Sequence, residues 1–336
     1  MLQLPAPFDE FKVPRQLPYH RLTNFCGQEN ILHEMGDFLT VSTAEKGSAW
    51  KRAVIVLQGM GGLGKSQIAL EYMFRNPEAY SAVFWVGATD PSTVCDSGRQ
   101  ILDLQMLIAH YSTKYYGEDK FPDGATDLGI PGQIMRGCEV GEAVAKTPWP
   151  SIHRWLARER NSRWCLVVDG LNVPEDEERM RALLPACDHG HIIVTSRITV
   201  TEFKIIEVLE MGKASSLKLL LGDSFETASE GTREAAESLA KELGFLPLAM
   251  AQAVAYMVKR ALDMVEYLKR LISNMTTRYT GETTPTYRKG VVSCWQLSVQ
   301  ALMESNMTNS ITSGLRVLGP RWRIKRAPST RIECHG

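Results

Sequence analysis

Ala53-Val54-Ile55-Val56-Leu57-Gln58 runs directly into Gly59-Met60-Gly61-Gly62-Leu63-Gly64-Lys65-Ser66. The first six residues form an unbroken apolar run with β-branched side chains, the mark of a strand buried on both faces of a parallel sheet. The next eight satisfy the pattern Gly-x-x-x-x-Gly-Lys-Ser. Glycines there let backbone N–H groups wrap phosphate oxygens, and the helix that follows brings the positive end of its dipole to the same point. Lys65 is placed to reach β and γ phosphates, and Ser66 to offer a hydroxyl to Mg²⁺. Gln67 completes the loop, and Ile68, Ala69, Tyr72 and Met73 fall on one face of a helix. Strand, glycine loop and helix in this order predict a phosphate cradle and not a bare turn.

Reading outward, Ala82–Val86 is a second apolar strand. Trp164–Val168 is a third and ends in Asp169. His191–Thr195 is a fourth and leads into Ser196-Arg197, and a short fifth is expected at Ile205–Leu209. Strands that alternate with helical segments predict an α/β fold, a parallel sheet sandwiched by helices. An acid at the end of a neighbouring strand is what a phosphate loop needs to order Mg²⁺, so Asp169 is assigned to the metal together with Ser66. Many ATPases place a second acid next to it, and here that place is Gly170. Nucleotide binding is therefore better supported than hydrolysis. Arg197 stands at the C-terminal edge of its strand, where a guanidinium fork matches the γ phosphate.

After residue 210 the pattern changes to helices alone. Ala235, Ala236, Leu239, Ala240 and Leu243 make a stripe stopped by Gly244, and Pro247 opens the next helix. The expected organisation is a tail over 1–22 and a nucleotide-binding domain over 23–210. A small all-α subdomain follows over 211–273, then a further segment over 274–305 with a helix at Val291–Leu302, and a basic tail over 306–336. Residues 116–150 hold six glycines and four prolines in 35 positions and read as a long surface insertion.

Composition narrows the classes. The 336 residues carry 38 Lys plus Arg and 38 Asp plus Glu, so the formal charge is zero. That balance argues against a protein built to coat nucleic acid or an acidic membrane. The basic tail, with Arg316, Arg321, Arg323, Lys325, Arg326 and Arg331, reads as a solvated end and not as a nucleic-acid site. Seven cysteines without a C-x-x-C pair suit a reducing, cytoplasmic setting. No apolar run is long enough for a membrane span, and the N-terminus lacks a signal-peptide core. Cys187-x-His189-x-His191 has no fourth ligand and reads as a turn into a strand. Trp149, Trp155 and Trp164 read as core.

The motifs together resemble a family. Gly59–Ser66 looks like the P-loop of NB-ARC proteins in the STAND class of NTPases. Phe25-Cys26-Gly27-Gln28-Glu29 resembles their Phe-x-Gly-Arg-Glu stretch near the adenine, with Gln28 where Arg is usual. Phe84-Trp85-Val86 resembles the strand after the P-loop helix. Ile192–Arg197 resembles the sensor strand whose Arg reads the γ phosphate. Gly244-Phe245-Leu246-Pro247-Leu248-Ala249 is similar to the Gly-Leu-Pro-Leu-Ala motif of the helical ARC1 subdomain, whose Pro packs by the adenine. Cys294-Trp295-Gln296-Leu297-Ser298 resembles the start of the winged-helix segment in fungal members.

The resemblance covers residues 23–302. It implies a signalling switch: ADP holds a closed state, and exchange for ATP opens it and permits self-association or binding of protein partners. It implies ATP or ADP with Mg²⁺ as ligands, and Phe25 and Pro247 beside the base. The Met-His-Asp motif of the winged helix is not recognisable, so the expectation is a member shortened at its C-terminal end. The alternative is a non-hydrolysing scaffold or decoy that binds full-length relatives. A metabolic kinase of the same loop type is disfavoured by the Gly-Phe-Leu-Pro-Leu turn and by the lack of an acceptor site.

Overall fold

The computed structural model describes residues 17–41, 51–101, 149–158, 162–278, 322–324 and 332–334. All but the last two residues of the expected insertion, the helix expected at Val291–Leu302 and most of the basic tail lie outside the described residues. The chain divides after Met211 into two units.

The first unit is built on five strands: β1 (Ala53–Gln58), β2 (Ala82–Gly87), β3 (Trp164–Leu171), β4 (His191–Ser196) and β5 (Lys204–Glu207). They pair in the order β2-β3-β4-β1-β5, and every neighbouring pair is parallel. Helices fill the connections: α1 (Glu29–Val41), α2 (Lys65–Arg75), α3 over 91–101, α4 (Trp149–Leu156) and α5 (Glu175–Leu183). This is the expected α/β fold.

Alternation along the strands explains the layers. Val54, Val56, Phe84, Leu166, Val168, Ile192 and Val194 share one buried cluster with Val94 and Ile101 of α3, Ile152 and Leu156 of α4, and Met180 and Leu183 of α5. The intervening residues Ile55, Leu57, Val83, Cys165, Val167 and Ile193 point to the opposite face and are buried as well. There α1 packs on β1, and α2 packs on β3 and β4. A strand covered on both sides needs apolar residues at every position, which is why β1 reads as a continuous run.

Helix α5 was not expected from the sequence. Its residues, Glu-Asp-Glu-Glu-Arg-Met-Arg-Ala-Leu, bury only Asp176, Met180 and Leu183, so its periodicity is faint. The fifth strand is also one residue out of place at its start and stops at Glu207, with Val208 and Leu209 beyond it. Trp164 is fully buried and donates from Nε1 to the Leu156 carbonyl at 2.9 Å. Trp155 packs edge-on against Phe84 with ring centroids 5.7 Å apart.

The second unit holds α6 (Lys213–Leu221), α7 (Glu230–Glu242), α8 (Pro247–Arg260) and α9 (Met264–Arg278). Ser229 caps α7 by accepting from the Thr232 N–H at 3.3 Å. Helices α7 and α8 each pack on α6 and α9, around Ala236, Leu239, Met250, Ala253, Tyr267 and Leu271, all fully buried. Gly244 and Phe245 both take left-handed backbone after α7, at φ 62 and 53. This turns the chain so that Pro247 stands in the first turn of α8, where a missing N–H costs nothing. Within the stretch expected as a basic tail, Trp322–Ile324 pairs antiparallel with Ile332–Cys334.

Candidate functional site: the phosphate loop and its strand ends

The loop leaves β1 between two neighbours and is pinned by both. Gly59 N–H donates to the Ser196 carbonyl at 3.1 Å, and Val208 N–H donates to the Gln58 carbonyl at 2.7 Å. The approach is so close that a Cβ at Gly59 would lie 2.4 Å from the Val208 oxygen. Only glycine fits there. Leu63 is buried beneath the loop, while Met60 stands 47% exposed at its tip. Gly62 and Gly64 take left-handed backbone at φ 86 and 88.

Helix α2 starts at Lys65 with Gly64 as its cap and no side chain accepting from its first turn. Its leading N–H groups, including that of Gln67, are left for a ligand. Lys65 is 8% exposed. Its ammonium donates to the carbonyls of Gly59 at 2.7 Å and Met60 at 2.6 Å. Burial, and then the Arg197 charge, lower its pKa from 10.5 to about 8, against a smaller upward pull from Asp169. The lysine is a cation held at a cost until an anion reaches it.

Asp169, Thr195 and Ser66 converge from three elements. The Ser66 hydroxyl donates to Asp169 Oδ1 at 2.5 Å, and the Thr195 hydroxyl donates to the same oxygen at 2.6 Å. Ser66 and Asp169 are 103 positions apart in sequence. A hydroxyl and a carboxylate side by side are hard oxygen donors of the kind Mg²⁺ selects, so the pair fits that ion. The Arg197 guanidinium rests on the loop: a Cβ at Gly61 would lie 3.0 Å from its Cζ and Nη2. The structure thus brings Lys65, Ser66, Asp169 and Arg197 together.

Of the remaining expected residues, those in the first unit lie elsewhere on it. Phe25 is half-buried, and its ring faces the guanidinium of Arg75, 5.8 Å from the centroid, at the far end of α2. Gln28 has left-handed backbone at φ 61 and donates from Nε2 to the Leu209 carbonyl at 3.2 Å. Pro247 belongs to the second unit. Asp176, near Gly170 in sequence, is committed: it accepts from the Asn172 and Val173 N–H groups at 2.8 and 3.1 Å and pairs with Arg179 at 2.7 Å.

An ion network that sequence reasoning missed ties the N-terminal motif to α2. Glu71 is nearly buried and accepts from Arg21 at 2.7 and 3.1 Å and from Arg75 at 2.8 Å. Arg75 also forks onto Glu29 at 2.5 and 3.0 Å. The Arg21 bonds are the main force holding Glu71 below its usual range against burial, which pushes it up. Arg21 lies in the stretch expected as a tail. Its partner is 50 residues away, and no local pattern announces the pair.

The Cys-x-His-x-His stretch is structural. His189 bonds the Leu156 carbonyl through Nε2 at 2.8 Å, His191 Nδ1 lies 2.9 Å from the Tyr80 hydroxyl, and Cys187 donates to the His189 carbonyl. Burial lowers the His191 pKa to about 4, so the ring is neutral. Among the described residues no group of three or more His, Cys, Asp or Glu is arranged to hold a metal. A groove of about 670 Å³ lies near the starts of β1 and β5, the edge of the sheet opposite the phosphate loop, and is lined by Arg52, Phe38 and Phe203 among others.

No family model matches the chain. A nucleotide-binding leucine-rich repeat (NLR)-like protein of Hyaloscypha variabilis is 23% identical over 326 residues, covering 86% of this chain and 29% of that protein. The regulatory protein AfsR of Streptomyces coelicolor is 25% identical over 274 residues, covering 79% of this chain and 24% of AfsR. The chain therefore spans less than a third of the length of either relative. A STAND protein with a tetratricopeptide repeat sensor from Pyrococcus horikoshii aligns over 85% of this chain and 46% of its own at 14% identity, with a TM-score of 0.39. The chain sets a phosphate loop of the pattern Gly-x-x-x-x-Gly-Lys-Ser on an all-parallel sheet, the P-loop NTPase fold, and its sequence is similar to that of an NLR-like protein over 86% of its length.

Proposed function

We propose that the chain is a nucleotide-dependent signalling switch that binds ADP or ATP with Mg²⁺ and turns ATP over slowly or not at all. The observation that carries this reading is the contact between Ser66 and Asp169 at 2.5 Å, which sets two magnesium ligands beside a desolvated lysine. Lys65 and the 59–64 backbone would hold the phosphates, and Arg197 the γ phosphate. Protein partners or self-association in the cytoplasm would read the state. No described helix is long and apolar enough to cross a membrane.

Slow turnover follows from Gly170. Its φ is +99, and a Cβ there would meet Thr89 Cγ2 at 2.9 Å. The backbone is shaped for a residue without a side chain, so no acid is offered next to Asp169 to polarise water. Mg²⁺-dependent ATP turnover is expected well below about 1 s⁻¹, the low end for ordinary enzymes. It should vanish in Lys65→Ala and in Asp169→Ala. The same bulge favours the second reading, a non-hydrolysing scaffold or decoy. That reading gains if the native chain binds ATP yet shows no turnover above the two variants. Turnover at ordinary enzymatic rates would contradict both.

Affinity should depend on pH through Lys65. Its pKa is lowered to about 8 in the free protein, whereas bound phosphate favours the charged form. Above pH 8 binding therefore requires proton uptake, and affinity should fall by up to about tenfold per pH unit. Stability of the free protein runs the other way. The unfolded chain keeps this proton up to its pKa of 10.5, so the cost of the buried ammonium is full below about pH 8 and is relieved as pH rises through the window between the two values. Calorimetric titration at pH 7 and pH 9, in buffers of different ionisation enthalpy, reads the proton. Equal proton counts at both would contradict the assignment.

A further inference from the structure

Thr195 has no role in the phosphate-binding reading, yet its hydroxyl is committed on both sides. It donates to Asp169 Oδ1 at 2.6 Å and accepts from the Gly170 N–H at 2.9 Å. That N–H is available because β3 bulges. The register passes from Asp169 opposite Thr195 directly to Leu171 opposite Ser196, so residue 170 is skipped by the ladder. Thr195 is 2% exposed, and a buried hydroxyl must find partners. A threonine in a parallel strand has no need of a neighbouring strand's carboxylate. Here the bulge and the hydroxyl fit each other, and the result is a chain of bonds from a backbone N–H to the carboxylate. Just past the end of this strand is Arg197, whose N–H donates to the Leu171 carbonyl at 2.8 Å, beyond the bulge.

We propose that Thr195 is the positioning residue for Asp169: its hydroxyl, locked by the Gly170 bulge, holds the carboxylate in the orientation that serves Mg²⁺ at Ser66. The inference rests on the nucleotide reading and adds a residue to it. Ser66 is shared between the carboxylate and the metal, so Thr195 is the donor to Oδ1 that metal binding leaves in place.

The test compares Thr195→Val, which removes the hydroxyl and keeps the shape, with Thr195→Ser, which keeps the hydroxyl. Affinity for a fluorescent N-methylanthraniloyl ATP is titrated with excess Mg²⁺ and again with a chelator. A hydrogen bond to a charged group is worth about 1.5–3 kcal/mol, so the gain in affinity that Mg²⁺ provides should shrink about tenfold or more in Thr195→Val and return in Thr195→Ser. Should Thr195→Val lose its fold by circular dichroism, Thr195→Cys replaces it with the same expectation, since a thiol is a weak donor. A Mg²⁺ gain that survives the loss of the hydroxyl overturns the inference, as does an equal loss with and without Mg²⁺, the mark of a merely structural role. A native chain that binds no nucleotide in either buffer overturns the functional reading and the inference with it.

Discussion

Lys65→Ala is expected to lower the affinity for ATP by about 100-fold while leaving the protein folded. The loop can still offer its N–H groups, but the one buried cation aimed along it is gone. Truncating one partner of a buried charge pair costs roughly 2–5 kcal/mol, and about 2.7 kcal/mol is a factor of 100. Folding should suffer little. The ammonium is desolvated in the free protein, and burial is the leading cause that pulls its pKa to about 8. What the variant loses in stability is the pair of bonds to the Gly59 and Met60 carbonyls, and water reaches an emptied loop. Titration of the fluorescent nucleotide measures the first effect and thermal unfolding the second. An affinity within threefold of the native chain would remove Lys65 from the site.

Gly190→Ala should have the largest effect on stability. Gly190 takes left-handed backbone at φ +83, and a Cβ there would fall 2.2 Å from two ring atoms of Trp164. Trp164 is fully buried, with its indole N–H fixed on the Leu156 carbonyl, so the ring has nowhere to retreat. The left-handed conformation costs an alanine roughly 1–2 kcal/mol, and forcing a methyl into a packed core costs about 1–3 kcal/mol more. The sum, about 2–5 kcal/mol, corresponds to a fall on the order of 10 °C in Tm for a domain near 200 residues. The position also starts the site. Gly190 accepts from the Ala53 N–H at 3.2 Å, and β4 starts at the next residue and carries Thr195, with Arg197 just past its end. Gly36→Ala is the control, since a Cβ there meets nothing within 4 Å. An unchanged Tm in Gly190→Ala would show that the Trp164 packing is not as described.

What was legible in the sequence follows from how local each signal is. The β1 run, the glycine loop and the first turn of α2 are contiguous, so one stretch of fourteen residues, 53–66, carries strand, turn and site at once. Asp169 and Arg197 were legible because each follows an apolar run, and the C-terminal ends of neighbouring strands in a parallel sheet lie side by side. The rest depends on contacts that sequence does not display. Helix α5 is polar nearly all round, and its buried carboxylate Asp176 looks like any surface acid until Arg179 and two N–H groups are seen on it. The pairing of Arg21 with Glu71 bridges 50 residues. The bulge at Gly170 is a backbone event, and the glycine alone reads as a missing acid before it reads as the donor to Thr195. Gln28, which departs from the arginine of the resembling motif, proves to reach a carbonyl after β5.

The proposed function requires that the chain hold an adenine nucleotide at the Gly59–Ser66 loop. The most direct measurement is the nucleotide content of the protein as purified, and after incubation with ATP and Mg²⁺, read by denaturing it and separating the released small molecules, with Lys65→Ala in parallel. The expected result is ADP or ATP near one per chain in the native protein and almost none in the variant. An empty native protein that takes up neither nucleotide, or equal content in both proteins, would contradict the account.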